Sequence, residues 1–274
     1  MTTGSDGECR GFVPPRGFLV DLDGVVYHGD RVIPSAPGFF RYLRERQIPF
    51  LLTTNNSTLG PPEYVTKLAR MDIEVAESEV LASADATASY LKQQAPDGGR
   101  VYVIGESGLK SAIEVAGFTL AESDAQFVVV GLDRQLTYQK LTTAVRLVRG
   151  GAAFVGPNPD TTLPTDDGII PGAGSFQAAI TAASGIRPTI IGKPEPTMLL
   201  IGCQRIGTSP ADTAIIGDRL DTDIVGGYRA GLMTILVLTG VSTRAEAAAV
   251  EVKPDWIFED LPALQGAVEA SRQS

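Results

Sequence analysis

The chain has 274 residues, of which 43% are hydrophobic and 20% charged, and its formal net charge at pH 7 is −9. That composition is typical of a globular protein with a sizeable core, in one large or two smaller domains. The negative charge and the lack of a basic cluster argue against nucleic acid or an anionic membrane as a partner. They leave room for an anionic substrate, because a bound cation can reverse the field in one pocket.

The two cysteines and the single histidine exclude a disulfide framework, a thiolate metal cluster and a multi-histidine zinc site. No apolar run reaches the length of a membrane span, and the polar start of the chain lacks the apolar core of a signal peptide. The sequence therefore predicts a cytoplasmic location and a disordered leader at residues 1–15.

The first strong pattern is an apolar run at 18–20 that leads into Asp21 and Asp23 and then Gly24. The run predicts a buried strand, and residues two apart on a strand point to the same side. Two carboxylates at the end of a buried strand need compensation, which a divalent cation between them would supply. The alternative interpretation is an exposed acidic turn after an edge strand.

Apolar runs and helical periodicities then alternate along the rest of the chain. The predicted strands lie at 18–20, 48–53, 101–104, 127–130, 152–155, 189–191, 214–216, 234–238 and 256–258. The predicted helices lie near 39–43, at 61–71, 82–94, 107–116, 137–149, 175–184, 197–205 and 219–230, near 245, and at 261–270. A loop rich in Pro, Asp, Thr and Gly is predicted at 156–174, and loops of that length are usually functional. Repeated strand–helix alternation predicts an α/β fold with parallel sheets.

Polar residues follow four of these apolar runs, where a parallel sheet binds its ligands. They are Asp21 with Asp23, Thr54 with Asn55, Lys193, and Asp218 with Asp223. Each alone has an ordinary explanation, since the Thr-Asn-Asn-Ser run is typical of turns, a lysine before proline is usually solvated, and loop carboxylates often have no partner. Their recurrence after apolar runs favours one shared site.

These motifs together resemble those of the haloacid dehalogenase superfamily of phosphatases, in the subgroup with the NagD proteins and p-nitrophenyl phosphatases. The matching segments are DLDGVVY at 21–27, TNNS at 54–57, GKPEP at 192–196 and GDRLDTDI at 217–224. The resemblance implies a Rossmann-like, doubly wound parallel-sheet core with a smaller inserted α/β cap domain. The core would comprise residues 1–82 and 188–274, and the cap residues 83–187.

The resemblance also implies the chemistry of a Mg²⁺-dependent phosphatase. Asp21 resembles the nucleophile that forms an aspartyl-phosphate, and Asp23 the general acid/base. The side chains of Asp21 and Asp218 and the backbone carbonyl of Asp23 resemble the Mg²⁺ ligands, while Asp223 would hold a metal-bound water or Lys193.

The remaining motif residues resemble the phosphate-binding part of the family site. Thr54, Asn55 and the neighbouring Asn56 would bind phosphoryl oxygens, and Lys193 would neutralise their charge and that of Asp21. Asn158 and Asp160 resemble the substrate-facing segment of the cap, with a proline-rigidified connection as the alternative. The expected partner is a small phosphorylated metabolite, such as a polyol or acid ester, and a homodimer through the cap is an arrangement known among such proteins.

The sequence leaves three alternatives to a phosphatase open. A phosphomutase would have to shield the phosphoenzyme from water, a dehalogenase would not need Asp23 or a metal, and a non-catalytic binding protein could use the same fold. We assign no catalytic role to His28, because the family chemistry needs no histidine, and we interpret Cys203 and Trp256 as packing residues.

Overall fold

The computed structural model of the protein describes residues 11–165 and 168–272. The chain divides into two compact units. Among the described residues, the first unit comprises 11–52, 68–74 and 203–272, and the second comprises 53–67, 75–165 and 168–202. This division into units does not test the predicted boundaries of the core and the cap, which stay a prediction.

Strands and helices alternate along the described chain. The strands are β1 (Gly17–Asp21), β2 (Tyr27–His28), β3 (Arg31–Val32), β4 (Phe50–Thr54), β5 (Val80–Ala82), β6 (Arg100–Ile104), β7 (Thr119–Leu120), β8 (Phe127–Val130), β9 (Ala153–Gly156), β10 (Thr162–Thr165), β11 (Gly168–Pro171), β12 (Thr189–Ile190), β13 (Thr213–Gly217), β14 (Met233–Val237) and β15 (Trp256–Phe258). The helices are α1 (Ala36–Glu45), α2 (Pro61–Ala69), α3 (Ser83–Gln94), α4 (Ser107–Val115), α5 (Tyr138–Arg149), α6 (Ala173–Ser184), α7 (Thr197–Ile206), α8 (Val225–Ala230), α9 (Arg244–Ala249) and α10 (Leu261–Arg272). Short 3₁₀ helices cover Glu77–Glu79 and Pro210–Asp212, and a π-helical turn at Leu220–Ile224 precedes α8.

The sheet of the first unit has the strand order β15-β14-β13-β1-β4. β1 pairs in parallel with β13, with Val20 opposite Ile216, and β13 pairs in parallel with β14, with Gly217 opposite Leu236. The chain therefore leaves β1, β13 and β14 at the same edge of the sheet. β1 is buried and apolar up to Asp21, because helices cover both faces of such sheets.

The second unit has its own parallel sheet, in the order β12-β9-β8-β6-β7. Its core is a cluster of buried side chains from the strands and from α5 and α6, namely Tyr102, Ile104, Val128, Val130, Ala144, Val148, Phe154 and Ile180. The predicted α/β class with parallel sheets is confirmed.

The prediction of an unstructured loop at 156–174 is wrong over part of its length. β10 and β11 form an antiparallel hairpin there, with Leu163 opposite Ile170. The proline and glycine content of this segment favours a loop. Each arm of the hairpin is short, so the alternation of apolar and polar residues that would predict a strand is hard to recognise. The two-residue strands β2, β3 and β7 and the three-residue β5 were too short to give a periodic signal.

The first described residues are packed against the sheet edge. Residues 1–10 of the predicted leader lie outside the described residues, whereas the Phe12 side chain is only 4% exposed. Its ring makes edge-on contacts with Trp256 and Phe258, with centroid distances of 5.2 and 5.8 Å. Trp256 thus serves packing, as predicted.

Two further predictions concern Cys203 and membrane-spanning segments. Cys203 is buried in α7, and burial raises the pKa of its thiol, which fits a packing role. Across the part of the chain that the structure describes, no helix is both long and apolar enough to cross a bilayer.

Replacing Phe12 with alanine tests its packing. We expect Phe12→Ala to lower the free energy of unfolding by about 3 kcal/mol, because a buried aromatic ring leaves a cavity. Urea unfolding measures the change. Val13→Ala, at a position that is 69% exposed, is the matched control and should change it by less than about 0.5 kcal/mol. Equal stability of both variants would contradict the packing role.

Candidate functional site

Three carboxylates meet at the carboxyl edge of the first unit's sheet. One oxygen atom each from Asp21, Asp218 and Asp223 lies within 4.8 Å of the other two. Asp21 is the last residue of β1 and is partly buried, while Asp218, which directly follows β13, is 1% exposed and Asp223 is fully buried. The in-register pairing of β1 with β13 produces this convergence of residues almost 200 positions apart.

Glycines let the backbone approach these carboxylates closely. Gly24 has a φ of +83°, which favours glycine, and a Cβ atom there would overlap the Asp218 carboxylate. A Cβ atom at Gly217 would overlap the Asp223 side chain. The glycine after Asp23 is therefore required by conformation and by space together.

Backbone amides orient two of the three carboxylates. The Val241 N–H donates to Asp218 Oδ2 at 2.7 Å, and the Arg219 N–H donates to Asp223 Oδ2 at 3.2 Å. Amide donors stabilise ionised carboxylates, but a hydrogen bond from a neutral amide leaves the negative charge in place.

The donor set fits a hard divalent cation. Buried carboxylates that face one another are costly unless a positive charge lies between them. Carboxylate oxygens are the ligands that Mg²⁺, Mn²⁺ and Ca²⁺ prefer. The cluster is therefore able to hold such an ion, and the alternative of an exposed acidic turn is wrong for Asp21.

The Asp23 side chain does not belong to the carboxylate cluster that contains Asp21. It is exposed to solvent. The residue forms an isolated bridge with Tyr27. Its predicted roles, as acid/base and through its carbonyl as a ligand, stay predictions. Asp223, predicted to act from outside the ligand sphere, lies in the cluster itself.

The second unit brings the other predicted residues together. Asn55 Nδ2 donates to the Lys193 carbonyl at 2.8 Å, and the Asn55 carbonyl accepts from Ser83 Oγ at 2.5 Å. Lys193 is only 2% exposed, so it is not the solvated lysine of the alternative interpretation. Thr54 Oγ1 accepts a hydrogen bond from the Asn56 N–H at 3.2 Å.

Asn158 is joined to the same loop by hydrogen bonds. Its Nδ2 donates to the Asn55 carbonyl at 2.7 Å, and its Oδ1 accepts from the Asp160 N–H at 3.2 Å. Gln177 Nε2 donates to the carbonyls of Asn158 and Val130 at 2.9 and 2.8 Å. Side-chain amides thus connect α6, the segment after β9, and the segment that contains Lys193.

Sequence reasoning missed Gln177. Its only signal is that it is a long polar residue within the otherwise small and apolar stretch of α6, where a buried amide needs partners.

A cavity in the second unit combines the predicted loop and the predicted cap segment. Its lining consists of Asn55, Asn56, Ser57, Thr58, Leu132, Asn158, Asp160, Thr162, Leu163, Gly172 and Ala173. The lining combines polar side chains, one of them a carboxylate, with apolar surface from two leucines and an alanine.

The fold is α/β and the strand-end carboxylates are suited to a cation, and two family models match the chain. The haloacid dehalogenase-like hydrolase model matches residues 18–119, and the HAD-hydrolase-like model matches residues 190–264.

Curated relatives and solved structures agree with these matches. The chain is 40% identical to the acid sugar phosphatase of Staphylococcus aureus, over 90% of this chain and 95% of that protein. It is likewise 40% identical to the 5′-nucleotidase YutF of Bacillus subtilis, over 90% of this chain and 96% of that protein. The structure of a p-nitrophenyl phosphatase from Archaeoglobus fulgidus superposes with a TM-score of 0.88 at 30% identity, covering 93% of this chain and all of that one.

The chain belongs to the haloacid dehalogenase-like hydrolase family. The predicted family and the prediction of an enzyme of its phosphatase group are confirmed, and the Rossmann-like fold class agrees with that of the structural neighbours.

Gln177→Leu tests the amide connection. The substitution keeps the volume but leaves the carbonyls of Val130 and Asn158 without this donor, so we expect the free energy of unfolding to fall by about 2 kcal/mol. Gln204→Leu, on an exposed position of α7, is the matched control. Chemical denaturation monitored by circular dichroism compares them, and a similar small effect of both would rule out the proposed importance of Gln177.

Proposed function

We propose that the protein is a Mg²⁺-dependent phosphatase that hydrolyses small phosphate monoesters through a phosphorylated Asp21. The observation that carries the proposal is the cluster of Asp21, Asp218 and Asp223, in a chain whose relatives are named as phosphatases. A nucleophilic carboxylate beside a cation site is the arrangement that phosphoryl transfer to an aspartate requires.

In the first step, a carboxylate oxygen of Asp21 attacks the phosphorus atom of the substrate. A bond forms between that oxygen and phosphorus, while the bond from phosphorus to the ester oxygen breaks. The electron pair stays on the leaving oxygen, and protonated Asp23 gives it a proton to release the alcohol. The exposed side chain of Asp23 is accessible to both the leaving group and water.

In the second step, the now ionised Asp23 takes a proton from a water molecule as the water oxygen attacks phosphorus. The bond between phosphorus and the Asp21 oxygen breaks, which restores the carboxylate and releases inorganic phosphate. Asp23 ends the cycle protonated, ready for the next substrate.

The carboxylates of Asp21, Asp218 and Asp223 and the carbonyl of Asp23 would hold the Mg²⁺. When bound, the ion supplies positive charge that offsets the charge of the phosphoryl group and of the carboxylates themselves. The hydrogen bonds from Val241 and Arg219 keep two of these carboxylates oriented for that task.

The Thr54–Asn56 loop and Lys193 would bind the phosphoryl oxygens. The hydrogen bonds that join Asn55 to Lys193 and to Asn158 support this role, because they fix the backbone that would present the donors. Asn158 would act mainly by holding Asn55, while Asp160 lines the cavity and is suited to accept hydrogen bonds from substrate hydroxyls.

We propose small phosphorylated polyols or acids as the substrate class, with residues 83–187 as the inserted cap that selects among them. The amide, hydroxyl and carboxylate side chains among the lining residues support this choice, because they are able to hydrogen-bond the hydroxyl groups of such a substrate. A homodimer through the cap is part of the same proposal. Ranking kcat/KM across a panel of phosphate esters would identify the substrate.

Asp21→Asn tests the nucleophile. We expect hydrolysis of p-nitrophenyl phosphate to be lost, because the amide cannot displace the phenolate, and no acid-stable phosphoenzyme to form. Release of inorganic phosphate measures the activity. Asp72→Asn, an exposed carboxylate of the same unit, should retain full activity. Undiminished hydrolysis by Asp21→Asn would refute the mechanism.

Asp23→Asn tests the acid/base role through the leaving group. An alkoxide needs a proton whereas p-nitrophenolate does not, so we expect kcat/KM, which covers only the steps up to release of the alcohol, to fall by about 10²-fold or more for glycerol phosphate. The fall should be smaller for p-nitrophenyl phosphate. Paired kinetics on both esters provide the comparison, and an equal loss on each would contradict protonation of the leaving group by Asp23.

A further inference from the structure

The loop after β14 contacts both Asp218 and Gly24, the residue that follows the proposed ligand Asp23. This loop, Thr239–Ser242, lies at the same sheet edge as Asp21 and Asp218 because β14 pairs in register with β13. Thr239 Oγ1 donates to the Gly24 carbonyl at 2.7 Å. The Ser242 N–H donates to the Asp218 carbonyl at 3.0 Å, and Ser242 Oγ accepts from the Leu220 N–H at 3.1 Å.

Thr239 fixes the turn that follows Asp23. The Gly24 N–H donates to the Tyr27 carbonyl at 2.8 Å, and the Gly24 carbonyl accepts from Thr239, so both peptide groups of Gly24 are held. The peptide bond between Asp23 and Gly24 is planar. The hydrogen bond to Tyr27 therefore also sets the direction of the Asp23 carbonyl oxygen, and Thr239 holds the next peptide group, between Gly24 and Val25.

The same loop fixes the Asp218 carboxylate. The Val241 N–H holds Oδ2, and a Cβ atom at Gly240 would overlap that side chain, so the loop backbone lies directly against it. Gly24 packs on the same carboxylate. Asp218 is thus enclosed between the turn after β1 and the loop after β14, with Thr239 joining the two.

We propose that Thr239 is a positioning residue for cation binding, which acts by tying the Asp23–Gly24 turn to the loop that orients Asp218. The proposal rests on the cation site of the proposed function. Ligands held in place before binding lose less freedom when the ion enters, so outer hydrogen bonds of this kind raise metal affinity. The hydroxyl of Thr239 contributes to that affinity although it is not itself a ligand.

Titration of the full-length protein with Mn²⁺ tests the proposal without reference to catalysis. Electron paramagnetic resonance of free Mn²⁺ gives the dissociation constant. We expect Thr239→Val, which keeps the shape but removes the donor, to raise that constant about tenfold. Thr239→Ser, which keeps the hydroxyl, should stay within about twofold of the unchanged protein. Thermal unfolding without metal establishes that each variant is folded.

Gly240→Ala provides a second approach to the same loop. Its Cβ atom would displace the Asp218 carboxylate, so Mn²⁺ binding should weaken at least as much as in Thr239→Val. Gly38→Ala, in α1 with open space around the added atom, is the matched control and should bind Mn²⁺ normally.

Asp218→Asn distinguishes a failure of the loop's positioning role from a failure of the cation site itself. If Asp218→Asn loses Mn²⁺ binding but Thr239→Val and Gly240→Ala bind normally, the role of the loop is refuted while the cation site stands. If Asp218→Asn binds Mn²⁺ normally, the cation site itself is refuted, and the role of Thr239 with it. Equal losses in Thr239→Val and Thr239→Ser would also refute a role for the hydroxyl.

Discussion

Mutual repulsion among buried carboxylates is the constraint on which the site depends. Asp218 and Asp223 have almost no contact with solvent, and Asp21 lies within a few ångströms of both. Three negative charges this close repel one another, and burial makes that repulsion costly. A bound cation removes that conflict, and the hydrogen bonds from backbone amides reduce it. The electrostatic cost of bringing these carboxylates together is the physical reason that the cluster is suited to a cation.

The sheet brings these charges together without distortion. Parallel pairing in register makes β1, β13 and β14 end together, and each of the three connections that follow contributes to the cluster or to its support. Glycines at the points of closest approach allow backbone and carboxylate to touch. The rigid strands fix the ligands, and the loops supply the hydrogen-bond donors.

The second unit uses neutral amides where the first uses charges. Asn55, Asn158 and Gln177 connect three segments through hydrogen bonds that do not depend on pH. Such connections are suited to hold backbone donors for an anion, because they add no negative charge nearby. The two units thus contain complementary chemistry, with cation ligands in one and candidate anion donors in the other.

The sequence by itself determined the parallel α/β class, the strand ends and the residue types there, because buried strands and acidic motifs leave strong local patterns. Asp21, Asp218 and Lys193 could be selected on that basis, and family resemblance supplied their expected roles. Tertiary structure alone decided that Asp223 joins the cluster, that Asn158 is bonded to Asn55, and that 162–165 pair with 168–171. It alone also decided which carbonyls Gln177 and Thr239 hydrogen-bond. Those facts depend on partners distant along the chain, whose positions no local periodicity encodes.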